Sequence, residues 1–98
     1  MALKIIFMGT PNFAVPILKA IHKSDHKILE VYTQPATKSG RGQKLKHSDI
    51  FNIAKQLNLS VRSPDKLETK EEINHIKKLK PDLAVVVAYG KILPSSLL

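Results

Sequence analysis

Lys38, Arg41, Lys44 and Lys46 crowd into one polar stretch, QPATKSGRGQKLKHS over residues 34–48, and no acidic residue interrupts the positive run between Glu30 and Asp49. Cations at this density suit a polyanion, because each one that meets a phosphate releases counterions from around it. Gly40 and Gly42 flank Arg41, which lets the backbone approach a partner closely and lets the guanidinium be re-aimed at little cost. The stretch exceeds the roughly two to six residues usual between a strand and a helix. It reads as a loop inserted into a regular fold to grip a polyanion.

Two other segments could meet a ligand. Gly9-Thr10-Pro11-Asn12-Phe13 follows an apolar run and could present backbone N–H groups at a helix N-terminus, a natural anion site. It has one glycine where a dinucleotide fingerprint needs three, and Leu45 takes the hydroxyl position that a phosphate loop requires. Tyr89-Gly90-Lys91-Ile92-Leu93-Pro94 follows the most apolar run of the chain. No Ser–His–Asp set or carboxylate pair can be assembled from residues that share one sheet edge. There is no cysteine, hence no thiolate metal site. His22, His26, His47 and His75 show no ligand spacing, so solvated surface is expected for each and no metal is expected. The catalytic groups are expected elsewhere.

The elements that must position these segments follow from periodicity. Leu3 to Met8 reads as a buried strand stopped by Gly9-Thr10-Pro11. Ala14, Ile17, Leu18 and Ile21 form a helical stripe with Pro16 in the first turn, and Ser24-Asp25 closes it. Lys27 to Thr33 is a second strand, and the basic loop follows. Ser48 is the expected N-cap of a second helix striped by Ile50, Ile53, Ala54 and Leu57 and stopped at Asn58. A short strand near Ser60 to Arg62 precedes a turn at Ser63-Pro64-Asp65. Thr69 and Glu72 have capping-box spacing ahead of Ile73, Ile76 and Leu79. Leu83 to Ala88 is apolar throughout and is expected to be a strand buried on both faces. The alternation predicts an α/β fold with a doubly wound parallel sheet, in which ligands bind beyond the carboxyl ends of the strands.

Ninety-eight residues, 43% of them hydrophobic, suffice for one small domain and an ordinary core. Sixteen Lys and Arg against eight Asp and Glu leave a net charge of +8, which favours anionic partners, nucleic acid above all. The scattered lysines at positions 55, 66, 70, 77, 78 and 80 read as solvation of helix faces. No stretch approaches the roughly 18 apolar residues that span a membrane. The N-terminus does not read as a signal peptide, and the cytoplasm is the expected compartment.

Three motifs then carry a resemblance. Phe7-Met8-Gly9-Thr10-Pro11-Asn12-Phe13-Ala14-Val15-Pro16, Thr33-Gln34-Pro35 with Gly40-Arg41-Gly42-Gln43-Lys44-Leu45, and Val86-Val87-Ala88-Tyr89-Gly90-Lys91-Ile92-Leu93-Pro94 resemble, in order and spacing, the methionyl-tRNA formyltransferase family. The match runs along all 98 residues, which would be about the N-terminal third of such an enzyme. The resemblance implies a Rossmann-like formyltransferase fold and a part in translation initiation. The reaction would move a formyl group from 10-formyltetrahydrofolate to the amino group of methionyl initiator tRNA.

It further implies that Lys38, Arg41, Lys44 and Lys46 contact the acceptor stem. Tyr89, Gly90, Ile92 and Leu93 would line the folate pocket, and Gly9, Thr10, Pro11 and Phe13 would border the aminoacyl end. The family's catalytic Asn, His and Asp would lie beyond Leu98. The Ser-Ser-Leu-Leu ending reads as the start of another helix, so a truncated piece, inactive by itself, is expected. Ala36-Thr37-Lys38 stands where many members have an Asp-Arg-Pro-like segment, and Asp49 where a proline is common. Composition alone fits a non-enzymatic Rossmann-like module for nucleic acid or nucleotides equally well, and the first and third motifs also fit a formyltransferase of a small nucleotide. The basic loop points to the tRNA-acting branch.

Overall fold

The computed structural model describes residues 2–39 and 44–90. Strand β1 (Lys4–Gly9) leads through a 3-10 turn (Asn12–Ala14) to helix α1 (Val15–Lys23), then β2 (Lys27–Tyr32). The short strands β3 (Thr37–Ser39) and β4 (Lys44–Lys46) precede α2 (Asp49–Gln56), β5 (Val61–Arg62), α3 (Lys70–Leu79) and β6 (Leu83–Val87). The main sheet has the order β5-β2-β1-β6, with every pairing parallel. The chain winds outward from β1 through β2 to β5, then crosses back so that β6 pairs with the other side of β1. Strand order therefore reverses between β1 and β6, the place where doubly wound sheets bind ligands.

Alternation along β1 divides the core. Phe7 packs with Val31 against Ala14, Val15 and Leu18 of the first helical layer and Ile50 and Ala54 of α2. Ile6 and Met8 face the other way and pack with Tyr32, Leu67, Ile76 of α3, and Tyr89. Each face of the sheet is thus covered by helix, as the alternation of elements requires.

The caps follow the sequence closely. Ser48 Oγ accepts from the Phe51 N–H at 3.0 Å, and Asp49 lies in the first turn of α2. Asn58 adopts φ 59°, and the Leu59 N–H reaches back to the Ala54 carbonyl at 2.9 Å, a Schellman-type ending. At α3 only half of the capping box forms. Thr69 Oγ1 accepts from the Glu72 N–H at 3.3 Å, but the Glu72 carboxylate turns to Arg62 and Tyr32 instead of the cap.

Two expectations are corrected. The polar stretch after β2 is not simply a loop, because Thr37–Ser39 and Lys44–Lys46 pair antiparallel, with Thr37 opposite Lys46 and Lys38 opposite Leu45. And β6 is not buried on both faces. Leu83 is 38% and Val86 47% exposed, because among the described residues β6 pairs only with β1 and so forms a sheet edge. Val85 and Val87 still pack against the α1–α2 side of the core.

Candidate functional site

The three motif segments meet at the carboxyl end of the sheet, on one backbone atom. The Tyr89 carbonyl accepts from the Thr10 hydroxyl at 2.9 Å and from the Gln34 side-chain amide at 3.1 Å. Thr10 Oγ1 in turn accepts from the Gln34 N–H at 3.3 Å and lies 3.5 Å from the Thr33 hydroxyl. Thr33 Oγ1 lies 2.6 Å from Ser48 Oγ, which caps α2. A continuous set of hydrogen bonds therefore ties the ends of β1, β2 and β6 to the start of α2. Thr33, at 0% exposure, is sealed within it.

Backbone shape at this edge is restricted. Gly9 ends β1 where an added Cβ would come 2.9 Å from Phe7 Cε1 and 3.0 Å from the Val87 carbonyl, so any larger residue must displace the neighbouring strand. Gly90 has φ 85°, and a Cβ on it would collide with the Gln34 amide. Ala88, at φ 50°, is also left-handed. For an L-residue this conformation costs about 1 kcal/mol. Among the described residues the other non-glycine positions of positive φ, Asn58 and Lys80, sit at helix ends, where such a turn is usual. Strain away from a helix end thus falls beside the site, where it is commonly retained.

Each expected site residue can now be placed. Gly9, Thr10 and Pro11 form the turn at the end of β1, and Phe13 projects from the 3-10 turn with 64% of its surface exposed. Tyr89 offers its carbonyl to the site, but its side chain runs into the core beside Ile6, Met8 and Ile76. Burial there, and then the Glu72 charge, push its phenol up to about 12. Lys38, Lys44 and Lys46 are exposed on the hairpin. Alternation puts Lys44 and Lys46 on one face and Lys38 on the other. Arg41, Ile92 and Leu93 lie outside the described residues.

A cavity of about 290 Å³ opens between the Thr10-Pro11 turn, Gln34-Pro35, and the segment from Lys46 to Asp49. It is bounded by the foot of the hairpin and the start of α2. Among the described residues no group of His, Asp and Glu is arranged to hold a metal ion. No helix among them is long and apolar enough to cross a membrane.

Sequence reasoning passed over Gln34, Thr33, Ser48 and His47 as site residues. Gln34 stood within a quoted motif, and its place directly after a strand, at the edge where ligands bind, was the available signal. His47 stacks on Phe51 with ring centroids 3.9 Å apart and planes 10° from parallel. Two histidines expected to be solvated have structural partners instead: His26 Nδ1 accepts from the Leu3 N–H at 2.9 Å, and His75 Nε2 lies 2.7 Å from the buried carboxylate of Glu30.

Comparison with known proteins agrees with this arrangement. The family model described as formyl transferase matches residues 3–98. The chain belongs to the formyl transferase family. It is similar to proteins named methionyl-tRNA formyltransferase from several bacteria. Identity is 52% with that of Pelagibacter ubique (strain HTCC1062), covering 100% of this chain and 32% of the relative. It is 49% with that of Alkaliphilus oremlandii (strain OhILAs), covering 98% and 31%. For the Coxiella burnetii protein (strain RSA 331 / Henzerling II) it is 47%, covering 100% and 31%. The chain thus spans about a third of the length of these curated relatives. The formyl transferase match includes all three segments that converge on the Tyr89 carbonyl.

Proposed function

We propose that the chain is the N-terminal portion of a formyltransferase catalytic domain that acts on methionyl initiator tRNA, with 10-formyltetrahydrofolate as the formyl donor. The observation that carries the reading is the convergence of Thr10, Gln34 and Tyr89 on one hydrogen-bonded node, with a cationic hairpin rising directly beside it. The names of the relatives support the choice of substrate.

In this reading Lys38, Arg41, Lys44 and Lys46 hold the acceptor stem by its phosphates, the main handle on an A-form helix. Gly9, Thr10, Pro11 and Phe13 border the aminoacyl end, and Tyr89, Gly90, Ile92 and Leu93 form one wall for the folate. The cavity of about 290 Å³ falls at the lower limit of small-molecule pockets, roughly 300–1,000 Å³. It lies on the hairpin side of the node, so it suits the end of the tRNA better than a whole folate. The folate supplies an activated formyl carbon to the methionyl amine. We assign deprotonation of that amine, and stabilisation of the charge developing on the formyl oxygen, to the Asn, His and Asp that the resemblance places after the third motif. Residues 1–98 bind and orient.

The test is steady-state formylation of methionyl initiator tRNA by the whole enzyme and its Arg41→Ala variant across a salt series. A good charge-assisted contact predicts a loss in kcat/KM for tRNA of about 1–3 kcal/mol, with an unchanged KM for folate and marked salt sensitivity. An unchanged kcat/KM for tRNA would instead favour a small nucleotide substrate.

A further inference from the structure

His47 occupies an unusual position. It follows the last residue of β4 directly and precedes the Ser48 cap of α2, so it joins the cationic hairpin to the first helical turn it meets. Its ring lies flat on Phe51, 3.9 Å between centroids and 10° from parallel. Lys55 Nζ sits over the Phe51 ring, 5.5 Å from its centroid. Phe51 covers one face of the imidazole, yet His47 remains exposed and lines the cavity beside Lys46. A planar ring fixed from behind and open in front presents its free face as a stacking surface.

The charges around that face select the partner. Lys44 and Lys46 share one face of the hairpin strand that ends at His47. Among the described residues, the one acid lining the same cavity is Asp49, two residues further on, at the start of α2. A planar group that arrives with phosphates attached fits this arrangement, whereas a neutral aromatic side chain of a protein gains nothing from the lysines. Unpaired bases at the end of an RNA stem are the parts of RNA that splay out and stack on aromatic or histidine side chains. We propose that the His47 ring, backed by Phe51, is the stacking platform for an unpaired base at the end of the RNA stem that Lys44 and Lys46 grip. The inference rests on the functional reading given above and adds a stacking residue to it. The ring also clips the hairpin to α2, near the position of a hydrophobic staple. A staple alone would affect stability, not the environment of a bound base.

A direct test titrates the whole enzyme with an RNA stem-loop that carries 2-aminopurine in an unpaired 3′ extension, following both affinity and fluorescence. Stacking should quench the fluorophore at saturation. His47→Ala should abolish the quench and weaken binding roughly five- to 150-fold, the range that base–aromatic stacking supports. His47→Phe should preserve both. Lys46→Ala should weaken binding and its salt dependence but leave the quench at saturation. If His47→Ala binds and quenches like the parent while Lys46→Ala weakens binding, the platform is overturned and the functional reading stands. If the parent enzyme shows no binding at low salt, both fail.

Discussion

Two clusters of polar side chains lie on this small sheet, and they are organised in opposite ways. On the α3 side, Arg62 bonds Glu72 through two 2.7 Å contacts, Tyr32 donates to the same carboxylate at 3.3 Å, and Glu30 pairs with His75 at 2.7 Å. Glu30 and Glu72 are 3% and 4% exposed. The Arg62 guanidinium holds the Glu72 carboxyl below its ordinary range, and Glu72 raises Arg62 in return. Burial, with Glu72 adding to it, raises the Tyr32 phenol well above its usual value. Arg62 and Glu72 neutralise each other here, with the Glu72 carboxylate out of water.

At the carboxyl edge the neutral groups, Thr10, Thr33, Gln34 and Ser48, are tied together, while the charges are displayed. Among the described residues no ion pair involves Lys38, Lys44 or Lys46. The contrast gives each cluster its own task. Paired buried charges fix α3 on the sheet. Exposed, unneutralised charges on a rigid hydrogen-bonded base retain their potential for a partner.

Mutations should separate the two roles. The largest effect is expected for Arg62→Met, which leaves the buried Glu72 carboxylate with only Tyr32. Removing one partner of a fully buried pair costs 3–5 kcal/mol, and the partial exposure of Arg62 reduces this to about 2–3 kcal/mol. Urea denaturation reads it. A loss below about 0.5 kcal/mol, the range of an ordinary surface change, would make this cluster no different from the edge. RNA affinity of the folded variant should not change.

The second effect is on pH dependence. The folded pKa of Glu72 is depressed, so its contribution is complete above the unfolded carboxylate value of about 4.3 and is lost as pH falls through the folded value. Stability should therefore fall with acid below about pH 4.3, and Glu72→Gln should flatten that fall. Equal acid sensitivity in parent and variant would remove Glu72 from the account.

Ser48→Ala comes next. It deletes the cap on α2 and the Thr33 contact, and a loss of about 1–2 kcal/mol is expected. Because this residue belongs to the edge, the variant should also weaken RNA binding, and an effect on stability alone would blur the comparison. The smallest effect is a gain. Ala88→Gly relieves the left-handed strain beside Tyr89, less the entropy that glycine loses, for a net stabilisation of about 0.5 kcal/mol.

Much of this was legible in the sequence. Helical and strand periods located β1, α1, β2, α2 and α3. Ser48, Asn58 and Thr69 marked helix ends because capping chemistry is local. The basic hairpin was harder, since Thr37–Ser39 is polar throughout and Lys44–Lys46 has only Leu45, itself exposed, between two lysines, too little hydrophobic alternation to announce a strand. Glu72 looked like a capping-box member, and only the fold brings Arg62 and Tyr32 within reach of its carboxylate. The Gln34–Tyr89 bond joins residues 55 apart. It depends on which strands become neighbours, and sequence patterns do not specify that. The exposure of β6 was invisible for the same reason: an apolar run reports what its side chains prefer, not whether a neighbour is present to cover them.

The proposed function has the hairpin charges serving tRNA and not the fold. Its most direct test is kcat/KM for methionyl initiator tRNA over a salt series, for the whole enzyme and its Lys44→Ala/Lys46→Ala variant, with unfolding followed alongside. Charges that hold tRNA give at least about a ten-fold loss at low salt, a log–log salt slope shallower by about two units, and unchanged stability. An unchanged kcat/KM and slope, or a loss fully explained by unfolding, would contradict it.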